Sequence, residues 1–79
     1  MKIKRLPTLD STPKRVDVGE RIRIARTECG LSQKELGKQC GFISATAMSL
    51  YESNSRNLSV RLLEQISHVT NLPVNFFIE

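Results

Sequence analysis

The side chains of this 79-residue chain best placed to do chemistry are short hydroxyl and methyl groups: Thr46, Ser49 and Ala45, with Leu50 beside them. At helical spacing Thr46, Ser49, Leu50 and Ser53 share one face. Hydroxyls on such a face can hydrogen-bond to base edges or phosphates, methyls can meet thymine, and small size permits close approach. The plainer reading is a surface helix without a ligand. Leu50 on the otherwise polar face argues for contact, although a single exposed leucine is common. Catalysis has no such foothold. His68 has no carboxylate, cysteine or second histidine at ligand spacing and reads as a surface helix residue. Cys29 and Cys40 are too few for a disulfide scaffold and form no metal cluster. Both fall on inward helix faces, where buried thiols act as small hydrophobes. With no clustered acids and no activated nucleophile, the chain reads as a non-enzyme without a cofactor.

The elements that must position these residues are short helices. Ile22, Ala25, Arg26 and Cys29 form the stripe of a first helix, and Gly30 supplies its stop. Ser32-Gln33-Lys34-Glu35 is a capping box that opens a second helix, Gln33 to Cys40, closed by Gly41. Ser44 caps a third, Ala45 to about Ser53, whose inward face is Met48, Tyr51 and Glu52. A polar loop, Ser53 to Asn57, follows. Ser59 caps a fourth helix with the stripe Leu62, Leu63, Ile66, Val69 and Thr70. Asn71 suits a left-handed stop, and Pro73 the first turn of a fifth helix, Val74 to Ile78. No segment alternates like a strand.

Helices two and three are separated by so short a turn that they must cross steeply, with Gly37 facing the crossing. Such a unit holds one helix up so that its outer face can enter a major groove.

Composition agrees with a small soluble domain: 39% hydrophobic and 25% charged, with a formal net charge of +4 that favours an anionic partner. Most of that charge leads the chain. Lys2, Lys4, Arg5, Lys14 and Arg15 face only Asp10 and Asp17 within the first 18 residues. With Pro7 and Pro13 and no sustained period, residues 1–17 read as a flexible basic arm, either reaching phosphates or simply solvated. Residues 18–79 form the domain. The longest apolar run, Phe76-Phe77-Ile78, excludes a membrane span, and no apolar leader is visible, so the expected address is the cytoplasm.

Gly19-Glu20-Arg21-Ile22-Arg23, Leu31-Ser32-Gln33-Lys34-Glu35-Leu36, Gly41 and Tyr51-Glu52 together resemble the lambda-repressor/Cro type of helix-turn-helix, the XRE family, across about residues 18–78. The loop Asn54–Ser59 and the closing Phe76-Phe77-Ile78-Glu79 are further similar to controller proteins of restriction–modification systems. The resemblance implies an all-α, five-helix lambda-repressor-like domain that binds double-stranded DNA. It implies that Gln33, first in helix two, touches a phosphate. Ser44, Ala45, Thr46, Ser49 and Leu50 lie at the base-facing end and side of the recognition helix, and Asn54, Arg56 and Asn57 grip the backbone. Arg26 and Glu52 match a partly buried ion pair. The family's common spacing from Gly41 to Glu52 is one residue shorter, so Phe42-Ile43 must widen the turn, one buried and the other exposed.

Val74, Phe76, Phe77 and Ile78 are more apolar than one helix face can bury, which suggests a homodimer surface. Both phenylalanines capping the monomer's own core is the other possibility. The expected function is sequence-specific transcriptional regulation, most simply repression, by a homodimer on a pseudo-palindromic operator. The alternative is a protein-interaction or antitoxin-like adaptor on the same scaffold.

Overall fold

The computed structural model describes residues 17–79, and within them the capping side chains set where the helices begin. The helices are α1 (Val18–Glu28), α2 (Gln33–Gln39), α3 (Ala45–Glu52), α4 (Val60–Thr70) and α5 (Val74–Ile78), with no strand among the described residues. Asp17, Ser32, Ser44 and Ser59 each stand in extended backbone and accept the amide three residues on, at 2.9, 3.0, 3.0 and 3.1 Å. Each such cap satisfies an amide that the helix cannot, a contribution of about 1 kcal/mol. The Ser32–Glu35 box is complete, since the Ser32 amide also donates to Glu35 Oε1 at 2.8 Å. Asp17 therefore belongs to the domain as the cap of α1. The rest of the expected basic arm lies outside the described residues.

Helix ends follow the stop residues. Gly30, Gly41 and Asn71 take positive φ values of 70, 91 and 60°. Pro73 sits one position before α5, as its N-cap, and not within its first turn.

The core is made by Ile22 and Ala25 of α1, Leu36 of α2, Cys40 after it, Met48 of α3, Leu62, Leu63 and Ile66 of α4, and Phe77 of α5. Burying each large apolar side chain contributes about 1.5–3 kcal/mol. The buried Thr70 hydroxyl returns its proton to the Ile66 carbonyl at 2.7 Å, so it leaves no orphan group.

Two expectations are corrected here. Cys29 is exposed, not buried. It is the C-cap of α1, still in right-handed helical backbone with its thiol donating to the Thr70 carbonyl at 3.6 Å, but at the end of the helix too little covers it to bury the residue. Phe77 is 0% exposed and belongs to the monomer core, so it is removed from the dimer surface. In a helix of five residues the spacing carries too little periodicity to separate an inward phenylalanine from an outward one.

Candidate functional site

The site is built from the α2–α3 turn outward. A Cβ on Gly37 would stand 2.0 Å from the Ile43 carbonyl oxygen, so only glycine lets α2 pass this close to the turn. The extra residue is accommodated by two consecutive left-handed residues, Gly41 and Phe42 (φ 91 and 65°). Ile43 packs against the core, and Phe42 is 81% exposed. Of the pair, Ile43 is the one turned inward, half-buried, and Phe42 the one left exposed.

From behind, α3 is held by charge. Arg26 Nε meets Glu52 Oε2 at 2.6 Å and a second guanidinium nitrogen donates to Oε1 at 3.2 Å, a two-pronged pair with side chains only 14% and 6% exposed. Arg26 also donates to the Leu31 carbonyl at 2.9 Å, and Gln33 Nε2 donates to Glu52 Oε1 at 3.1 Å. Glu52 thus joins α1, α2 and α3. The planar guanidinium fork suits this task because both carboxylate oxygens are engaged in fixed geometry.

The opposite face of α3 points away from that network. Thr46 and Ser49 are exposed, Ala45 and Leu50 are half-buried, and Ser44 is exposed while serving as the N-cap. Inward, Met48 is fully buried and Tyr51 half-buried, the division expected from the sequence.

After α3 the loop carries Arg56 and Asn57, both exposed. The Arg56 guanidinium lies 5.8 Å from the Tyr51 ring centroid, a cation–π contact worth about 0.5–1 kcal/mol at an exposed site. Asn54 is engaged within the domain. Its Oδ1 accepts the Gly19 amide at 3.1 Å and its Nδ2 donates to Asp17 Oδ1 at 2.6 Å. That bond, with the Glu20 amide, holds the Asp17 carboxyl below its ordinary value.

At the far end, α5 is fastened to α1 by Arg21, which donates to the Phe76 carbonyl and stands 5.3 Å over the Phe76 ring. Val74 and Phe76 are half-buried and Ile78 is 47% exposed.

Three residues matter for this geometry in roles not picked out in the sequence, although Asp17, with Glu20 three positions on, has the N-cap spacing that could have marked the start of α1. Gly19 permits the N-terminus of α1 to touch the end of α3, since a Cβ there would stand 2.3 Å from the Glu52 carbonyl oxygen. Asp17 and Asn54 meet across 37 positions of sequence. The resemblance implies only that Asn54 grips a DNA backbone; the tolerance of asparagine for left-handed backbone (φ 62° here) is the signal that could have marked it as shaping the loop.

Comparison with known proteins follows the same lines. A family model described as helix-turn-helix matches residues 22–77. An HTH-type transcriptional regulator of Sinorhizobium medicae (strain WSM419) is 39% identical over 64 residues, 81% of this chain, and a regulator of Rhizobium meliloti (strain 1021) matches equally. The chain spans about half, 45%, of the length of these curated relatives. Among solved structures, the P22 c2 repressor in complex with a synthetic operator superposes with a TM-score of 0.72 at 27% identity, over 78% of this chain and 92% of that one. The BldD DNA-binding domain superposes at 0.70 over 81% and 92%, and at 23% identity shows the shared fold. The buried Arg26–Glu52 pair, the glycine at the helix crossing and the family match agree: the chain belongs to the helix-turn-helix family, as a domain of the lambda-repressor/Cro, or XRE, type.

Proposed function

We propose that this chain binds double-stranded DNA sequence-specifically and regulates transcription in the cytoplasm, as a homodimer that represses by occupying a pseudo-palindromic operator. One observation carries the reading. The helix α3 is held from behind by the Arg26–Glu52–Gln33 network and turns its exposed Thr46 and Ser49 outward. A helix so mounted can enter a major groove, with hydroxyls for base edges and the Ala45 and Thr46 methyls for thymine. Arg56 and Asn57 supply backbone contacts beside it. The P22 c2 repressor, solved with an operator, supports the DNA partner, and the regulators of the two rhizobia support the role in transcription.

For the dimer, Ile78 with the outer parts of Val74 and Phe76 offers the apolar surface. A two-fold pair sets its recognition helices one DNA turn apart, about 34 Å. Affinity selection from a random duplex pool at physiological salt tests the proposal. Enriched sites with two symmetric halves about 10 bp apart support it. Weak, salt-sensitive binding with no enriched site overturns it in favour of a protein-binding adaptor.

A further inference from the structure

The asparagine after the recognition helix has a role that direct DNA contact does not describe. Asn54 takes φ 62°, and its amide reaches back to α1: Oδ1 to the Gly19 amide, Nδ2 to the Asp17 carboxylate. The two helices meet there because Gly19 lies against the Glu52 and Tyr51 carbonyls. The positive end of the α1 dipole thus faces the negative end of α3. Two residues beyond Asn54, the Arg56 guanidinium rests over Tyr51. Arg56 is the one cation between Ser53 and Ser59. The loop is therefore pinned at both points, once by Asn54 and once by Arg56.

We infer that Asn54 is a positioning residue for DNA binding, which acts through Arg56 by fixing the loop that presents it. The inference rests on the DNA-binding reading above. A direct phosphate contact by Asn54 is disfavoured on two grounds. Its acceptor oxygen and one of its two amide protons are already engaged. A phosphate reaching the other proton would also approach the Asp17 carboxylate, and like charges repel.

Asn54→Gly tests this in the whole chain, because glycine keeps the left-handed backbone and removes only the clasp. Affinity for the duplex enriched by selection is measured against salt for wild type, Asn54→Gly, Arg56→Ala and the double variant, with melting followed by circular dichroism. Asn54→Gly is expected to stay folded, to bind about tenfold more weakly, and to lose about 0.9 from the salt slope, the signature of one lost cation–phosphate contact. A neutral side chain that touched DNA itself would weaken binding without changing that slope. In the Arg56→Ala background Asn54→Gly should take nothing further from the salt slope. Asp17→Gly leaves an acceptable N-cap for α1 but removes the acceptor of Nδ2, and should reproduce the slope loss. An unchanged slope in Asn54→Gly, or a full additional loss in the double variant, overturns the inference. Wild type that binds no duplex selectively removes the DNA-binding reading, and this inference with it. That failure shows in the wild-type curve alone, before any variant is compared.

Discussion

The Gly37 carbonyl accepts the Ile43 amide at 2.8 Å, while a Cβ on Gly37 would stand 2.0 Å from the Ile43 carbonyl oxygen. The turn between the two helices is thus tied to the same residue whose missing side chain makes room for it. Helix propensity alone would favour Gly37→Ala by about 1 kcal/mol. The contact is with backbone, which cannot swing aside, so the substitution is expected to destabilise the domain by about 3 kcal/mol, measured by urea unfolding. An unchanged unfolding midpoint would mean that α2 and α3 can separate freely.

Arg26 and Glu52 form the second constraint. Arg26→Ala leaves the Glu52 carboxylate buried with only the Gln33 amide, and should cost about 3–5 kcal/mol. Replacing both at once, as Arg26→Met with Glu52→Leu, should recover much of that loss, because no unpaired charge remains. Denaturant titrations of the single and double variants give the coupling directly. Additive losses would argue that the pair does not act as a unit.

The five helices, and the caps of α2, α3 and α4, were legible because each depends on residues within one or two turns; the Asp17 and Pro73 caps of α1 and α5 were not placed. The Ser32–Glu35 box, the Asn71 stop and the stripe of α4 are local matters of spacing. The Arg26–Glu52 pair came from the family resemblance, and Gly37 from the shortness of the turn. What escaped depends on partners far along the chain. The contact of Gly19 with Glu52, and the bonds from Asn54 to Gly19 and Asp17, exist only once α1 and α3 have met. The misplacement of Cys29 and Phe77 has another cause: Cys29 lies at the very end of α1, where little covers it, and α5 is too short for spacing to tell an inward phenylalanine from an outward one.

Phe77 and Ile78 distinguish the fold from the proposed assembly. Phe77→Ala opens the core and should cost about 3–5 kcal/mol, enough to unfold much of so small a domain. Ile78→Ser should change stability by no more than about 0.5 kcal/mol while weakening self-association in sedimentation experiments. If Ile78→Ser leaves the sedimenting species unchanged, α5 is not the dimer surface.

Phe42 holds a left-handed backbone that a side chain adopts at a cost of about 1–2 kcal/mol, and at 81% exposure it buries little in return. Phe42→Gly is therefore expected to raise stability by about 1 kcal/mol, read as a higher thermal midpoint. A drop would show that the phenyl ring makes contacts that matter.

Two carboxyls give the domain an acid dependence. Hydrogen bonds from Asn54 and then the Glu20 amide lower Asp17 from its ordinary 3.8. The backbone amide and then the hydroxyl of Ser32 lower Glu35 from 4.5. A lowered native value means that the unfolded chain binds more protons near pH 4, so the stability these groups provide is present above their ordinary values and lost as pH falls through the native ones. Asp17→Asn combined with Glu35→Gln should flatten the fall in unfolding midpoint below about pH 4.5 and leave its shape near neutrality alone. An acid limb as steep as wild type would place the titration elsewhere.

Thr46 and Ser49 point outward from a helix whose Met48 and Glu52 fasten it inward. Mutation at positions 46 and 49 therefore opens no cavity and strands no charge. Under the proposed reading of DNA by this face, descendants of this gene can change target at these two positions without touching the contacts that hold α3. Lineages that share the scaffold are then free to diverge in what they recognise faster than in how they are built.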